Sequence, residues 1–236
     1  MTLVQGLKVM MPEMGGRKLY NELLDQLSAQ GVKMGRDKFF EFLAENNLLV
    51  KKKKKYARTT NSAHGFRVYP NLLKELEVTK VDQAWVSDIT YIRHQQGFSY
   101  LALITDVFTR KIIGYDISSS LGAEGSLRAL KMALKGRKNR DTIHHSDRGI
   151  QYCCRDYQQL LIKNNIKISH AAKGDCYENA IAERVNGILK TELGLDYTFK
   201  NKEQINKAVY DAIYIYNHHR PHWSINLLKP ANVYAA

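Results

Sequence analysis

Residues 84–118 constrain this chain more than any other stretch. "AWVSDITYIRH", "FSYLALITDVF" and "RKIIGYDISS" follow one another with only short turns between them, Gln96-Gly97 at the first. All three are rich in β-forming residues, and the first alternates apolar with polar, the period of a pleated strand. Three such segments in succession predict a meander. Downstream the period changes. "AEGSLRALKMALKG" spaces Leu127, Leu130 and Leu134 as a helix does, "TIHHSD" reads as a short strand, "DYQQLLIKNN" as a helix and "IKIS" as a strand. Two helical patterns close the chain, with Ile181, Val185 and Ile188 on one face of the first and Ile205, Val209, Ala212 and Tyr216 along the second. The order β-β-β-α-β-α-β-α-α implies an α/β protein, a mixed sheet with helices on its faces.

Upstream, Leu19, Leu23 and Leu27 repeat at helical spacing up to Gly31, a candidate C-cap. "RDKFFEFLAENNLL" follows, with Phe39, Phe40 and Leu43 expected inward. Two short helices about a glycine-containing turn suggest a helix-turn-helix over residues 1–50. Residues 51–79 read as a basic linker. No acid occurs between Glu45 and Glu75, whereas Lys51, Lys52, Lys53, Lys54, Lys55, Arg58, Arg67 and Lys74 do, so like-charge repulsion favours an extended segment. Residues 80–236 form the main unit.

Charge narrows the partner. With 36 Lys+Arg against 23 Asp+Glu the formal charge is +13, which favours a polyanion, nucleic acid before membrane, through counterion release. Hydrophobic content of 44% excludes a disordered chain. Cys153, Cys154 and Cys176 make no disulfide framework and fit a reducing compartment. "MTLVQGLKVMMPEM" is too short and polar for a signal peptide, and no apolar run approaches the roughly 18–20 residues that span a bilayer. A cytoplasmic protein without a membrane partner is the expectation.

Three acids stand in positions that invite chemistry. Asp88 lies inside the first strand among apolar neighbours, where aspartate is disfavoured. Asp147 closes the fourth strand before Arg148-Gly149, and Glu183 lies on the helix after the fifth. If the first strand is central with the fourth beside it, Asp88 and Asp147 meet at one edge, and the helix brings Glu183 to them. Converging carboxylates repel unless protonated or holding a cation, and hard oxygen ligands select Mg²⁺ or Mn²⁺. A pair of such ions suits phosphoryl transfer on a phosphodiester. Asp106 and Asp116, which flank the third strand, are better read as turn or hairpin residues. Glu178 is offset by roughly 140° from Glu183 around a helix and cannot share its face.

The stretches "WVSDITYI", "YLALITDVFTRKIIGY", "HHSDRGIQY", "KGDCYENAIAE" and "YNHHRPH" resemble, in order, the integrase-type catalytic core of DDE transposases, most of all the second-reading-frame product of the insertion-sequence-three family. Fifty-eight residues separate Asp88 from Asp147 and thirty-five separate Asp147 from Glu183, the second interval being characteristic of that family. The resemblance covers nearly the whole chain. It implies an RNase H-like fold, with Asp88, Asp147 and Glu183 as catalytic, metal-holding residues for two Mg²⁺ or Mn²⁺ ions. It further implies strand cleavage by water, attack of the freed 3′-hydroxyl on another phosphodiester, and a bacterial, nucleoid-associated setting. DNA is the implied partner, with homo-oligomers on paired element ends and a partner reading-frame product joined by frameshift fusion. Two alternatives share the residues: an RNase H-like nuclease that only hydrolyses, and a DNA-binding regulator that does not cut.

Candidate DNA contacts follow from position. Asn179, Asn186, Gly187 and Lys190 lie at −4, +3, +4 and +7 from Glu183, one polar stripe beside the acid. Lys190 is the first choice for a phosphate, and Asn179 for orienting the site. Lys173 and Lys167 border the "SHAAKGD" loop. In "YNHHRPHWS", Arg220 and His222 are expected near the backbone, while the competing reading makes the segment a helix-end cap with Tyr216 and Trp223 as core. Lys51, Lys52, Lys53 and Arg58 supply the linker's charge. A zinc site from His144, His145, Cys153, Cys154, His170 and Cys176 has the wrong spacing for a closed site.

Overall fold

The computed structural model describes residues 1–50, 65–172 and 179–236. Three N-terminal helices, α1 (Thr2–Met10), α2 (Gly16–Ala29) and α3 (Arg36–Glu45), precede a sheet of β1 (Ala84–His94), β2 (Gly97–Asp106), β3 (Ile112–Ser118), β4 (Ile143–Ser146) and β5 (Lys167–His170). Between and after the strands come α4 (Ala123–Lys135), α5 (Ile150–Cys153), α6 (Arg155–Lys163), α7 (Ala180–Thr191), α8 (Lys202–His218) and α9 (Pro230–Ala235). The strand order is β3-β2-β1-β4-β5. β1, β2 and β3 are antiparallel, and β4 and β5 run parallel to β1. The long central strand is thus the meander's first, with the fourth beside it, as the element order implied.

Alternation along the strands sorts the core into two layers. Ala102 and Ile104 of β2 join Trp85, Leu130 of α4 and Tyr157 and Leu161 of α6 on one face. Leu101 and Leu103 join Ile92, Val185 and Ile188 of α7, and Val209 and Tyr216 of α8 on the other. Asp88 shares the parity of Ile92 and therefore faces α7. β3 lies close against α4 because residue 114 is glycine. A Cβ there would sit 2.3 Å from the Ala129 carbonyl oxygen.

The N-terminal helices bury Leu19, Leu23, Phe39 and Leu43 together, with Phe40 half-buried. Gly31 follows α2 with φ +74°, the left-handed cap expected of it. Helix α1, unforeseen from its sequence, adds Val4 to this cluster, and Leu193 and Ile215 from the main unit pack against it. Of the basic stretch, residues 65–79 run along the sheet. The Leu72 amide donates to Ser169 Oγ at 2.8 Å, and the Tyr69 amide to His170 Nδ1 at 3.0 Å. Lys51, Lys52, Lys53 and Arg58 lie outside the described residues.

Candidate active site

The register of β1 against β4 builds the site. Ala84 pairs with Ile143 and Ser87 with Ser146, so the next step brings Asp88 level with Asp147. β4 stops there because Asp147 folds onto its own turn, Oδ1 accepting from the Gly149 amide at 2.9 Å. Asp147 is therefore a turn-former and a charged corner at once. Asp88 is half-buried, its Oδ1 accepting from the Ile89 amide and its Oδ2 from Asn186 Nδ2, both at 2.8 Å. Burial, then the charge of Asp147, and more weakly that of Glu183, push its carboxyl up to about 7, against the pull of those two hydrogen bonds.

Helix α7 presents its polar stripe to this edge. Asn179, at its N-cap, donates to the Ser87 carbonyl at 3.1 Å, and Asn186 holds Asp88. One oxygen of each amide, Asn179 Oδ1 and Asn186 Oδ1, is buried without a partner among the described residues. Lys190 is half-buried. Burial lowers its pKa while the charge of Asp88 opposes that shift, which sets the ammonium within electrostatic reach of the acid. Asn186 was legible only as a stripe member. Its three-residue offset from Glu183 was the signal, and its bond to Asp88 needed the packing of α7 on β1.

The structure brings Asp88 and Asp147 together but leaves Glu183 exposed on α7. Among the described residues no group of three or more His, Cys, Asp or Glu side chains stands close enough to hold one ion. A third uncompensated carboxylate gains nothing by leaving water for two others. The pair itself fits a hard divalent cation. Its donors are carboxylate oxygens, and their mutual repulsion is what a cation relieves.

The layer beneath is a buried hydrogen-bonded network. His144 Nε2 meets Ser87 Oγ at 2.7 Å and Tyr157 OH at 2.9 Å, and His145 Nδ1 meets Ser169 Oγ at 2.7 Å. Burial and the neighbouring histidines push His144 down to about 3, so it stays neutral. His170 Nε2 lies 3.8 Å from Cys153 Sγ, while Cys154 Sγ turns to the Gln151 carbonyl. Cys176, Lys173 and Glu178 lie outside the described residues.

Other expected contacts land elsewhere. Arg220 is 1% exposed and paired bidentately with Glu192, Nε to Oε2 at 2.8 Å and Nη2 to Oε1 at 2.9 Å. That guanidinium is spent inside the protein, tying α8 to α7, and cannot also reach a strand at the surface. His222 is buried against Tyr216, whose ring lies 4.8 Å away, while Trp223 is 57% exposed and not core. Lys167 stands at the N-terminal end of β5, beside Ile143 and away from Asp147. Asp106 is a buried turn-holder, accepting from Thr109 N, Thr109 Oγ1 and Asp82 N, and Asp116 pairs with Arg128 of α4.

Two family models, both described as integrase core domain, match residues 78–176 and 164–230. A 31 kDa uncharacterised protein of insertion element IS600 from Shigella sonnei is 39% identical over 220 residues, 92% of this chain and 79% of that protein. Transposase InsF of insertion sequence IS3A from Escherichia coli K12 is 37% identical over 211 residues, 88% of this chain and 73% of that one. The catalytic core of HTLV-2 integrase, solved in complex with magnesium, aligns at TM-score 0.50 and 16% identity over 65% of this chain and 97% of that one. A chain of the simian T-cell lymphotropic virus intasome with PP2A regulatory subunit B56 gamma aligns at TM-score 0.56 and 15% identity over 94% of this chain and 75% of that one. At these identities the two structures establish the shared fold, an integrase-core, RNase H-like sheet. Among the described residues no helix is long and apolar enough to cross a membrane.

Proposed function

This chain belongs to the IS3-type insertion-sequence transposases, and we propose that Asp88, Asp147 and Glu183 are the residues with which it cuts and joins DNA. It is a polynucleotidyl transferase by family, and the catalytic detail is our reading. The observation that carries it is the meeting of Asp88 and Asp147 at the sheet's edge, where the charge of Asp147 raises the cost of charging Asp88.

In this reading Asp88 and Asp147 would hold a divalent metal, Mg²⁺ or Mn²⁺, with Glu183 of α7 as the third carboxylate of the set. Bound there, such ions would activate an attacking oxygen and take up charge on the leaving one. The protein's own residues do the rest. Asn186 fixes the Asp88 carboxylate through its amide, and Asn179 pins the start of α7 to β1. Lys190, on the same stripe, receives a phosphate of the DNA strand next to the scissile bond. Water is the first nucleophile and the freed 3′-hydroxyl the second, both brought into line by that grip on the strand. Neither step requires a covalent protein–DNA intermediate.

The partners proposed are the element's ends and a target duplex, bound by a homo-oligomer, with a partner reading-frame product as a further component. The net charge of +13 supports a DNA partner. The test is incubation with labelled end-sequence duplex, Mg²⁺ and a target plasmid. Joined product is expected from the native chain. Asp147→Asn should give neither nicks nor joints while still shifting the duplex. Nicks without joining would reduce the activity to hydrolysis, and cleavage by Asp147→Asn at the native rate would remove that residue from the mechanism.

A further inference from the structure

The N-terminal helices meet the main unit at the end of α7, and they do so through charge as well as apolar packing. Lys18 of α2 is 7% exposed, and its Nζ lies 3.7 Å from Oε2 of Glu192, the C-cap residue of α7. The same carboxylate already accepts from both arms of the Arg220 fork. A second, more exposed ion pair joins the two parts, Lys229 Nζ to Glu22 Oε2 at 3.1 Å, and Leu193 and Ile215 pack against the N-terminal cluster.

Stability does not account for Lys18. Burial, then the charge of Arg220, lower its pKa to about 8 in spite of Glu192, so the ammonium is worse placed here than in water. Glu192 has no need of it, since Arg220 alone gives the carboxylate two charge-assisted hydrogen bonds. Buried ion pairs often add little net stability over apolar side chains of similar size, and what they can supply is a single geometry. The geometry at stake is that of α7. That helix is tied to β1 at its start, where Asn179 donates to the Ser87 carbonyl, and at mid-length, where Asn186 donates to Asp88 Oδ2. Glu192 holds its far end, roughly 9 Å beyond Asn186 along the axis. Glu183 lies between the first two ties and Lys190 between the last two.

We propose that Lys18 is a positioning residue: through Glu192 the N-terminal helical unit grips the end of α7 and so sets where Asn186, Glu183 and Lys190 stand against Asp88. The helical unit is then part of the frame of the active site, and not only an arm that carries DNA. Removing the Lys18 charge leaves Glu192 compensated by Arg220, so the grip is lost without stranding a buried carboxylate. The proposal rests on the proposed function for the roles of Glu183 and Lys190, but not for the placing of Asn186.

Lys18→Met, which keeps a long apolar side chain at this position, tests it in the full chain. The Asn186 side-chain amide, assigned by its loss in Asn186→Ser, is followed by NMR without metal or DNA. Its resonance should move in Lys18→Met. It should keep its native position in Lys229→Met, whose ion pair joins the same two parts without a residue of α7. The urea midpoint of Lys18→Met should be no lower than the native chain's. With labelled duplex at saturation, joined product should form at least tenfold more slowly while duplex affinity is unchanged. The NMR arm needs no chemistry, so a native chain that failed to cut would sink the catalytic reading and leave this proposal to be judged on Asn186. An Asn186 resonance unmoved in Lys18→Met, or moved equally in Lys229→Met, would overturn it. So would a lowered midpoint, which makes Lys18 a plain docking contact, or weaker duplex binding at the native joining rate, which makes it a DNA contact.

Discussion

Asp88 is the residue on which the proposed chemistry turns, and its position explains the proposal. A carboxylate in mid-strand, half-buried and level with a second one, is unfavourable for folding, as its rise to about 7 records. Sequence exposed this directly, since strands disfavour aspartate and the apolar neighbours of Asp88 marked it as inward. The support from Asn186 was not legible, because it depends on how α7 sits on β1. Arg220 was misleading for a related reason. Its motif signalled importance, but only packing reveals whether an arginine faces DNA or, as here, an internal glutamate. Lys190 makes the residue-scale prediction. Lys190→Ala should weaken duplex binding and lower the slope of log affinity against log salt by about one. A slope equal to the native chain's would remove its phosphate contact.

At the scale of elements, the strands declared themselves by period and the long helices by spacing. β1 spans the residues of "AWVSDITYIRH", and Ile205, Val209, Ala212 and Tyr216 form the buried stripe of α8. The short pieces did not. Helix α5 has four residues and α9 six, too few for a period to show. Helix α1 hid because Gln5, Gly6 and Lys8 break its apolar run, and its packing on α2 decides its state. The close approach of β3 to α4 depends on Gly114, with no space for a side chain beside Ala129 and Ala133. Gly114→Ala should therefore cost about 1–3 kcal/mol by overpacking, seen as a lower urea midpoint at unchanged slope. An unaltered midpoint would mean the helix shifts freely off the sheet.

At the scale of the whole molecule, burial ties stability to pH. His144 is held down to about 3 and His222 to about 2, both by burial first. Their native pKa values lie below the unfolded value near 6.5, so the unfolded chain takes up protons that the native one refuses. That stability is complete above pH 6.5 and is lost as pH falls, at up to about 1.4 kcal/mol per unit for each histidine. Asp88, raised to about 7, acts in the opposite sense between pH 4 and 7 and offsets one of the two. Urea midpoints should thus fall from pH 6.5 to 4.5, and His144→Gln should flatten that fall by one proton's worth. A flat native profile would contradict the burial of these rings. The account as a whole depends on the acid pair as a cation site, and a calorimetric titration of Mn²⁺ into the native chain, Asp88→Asn and Asp147→Asn tests it most directly. The native chain should bind the ion, and each variant should bind it at least tenfold more weakly. Equal Mn²⁺ affinity in all three proteins would contradict it.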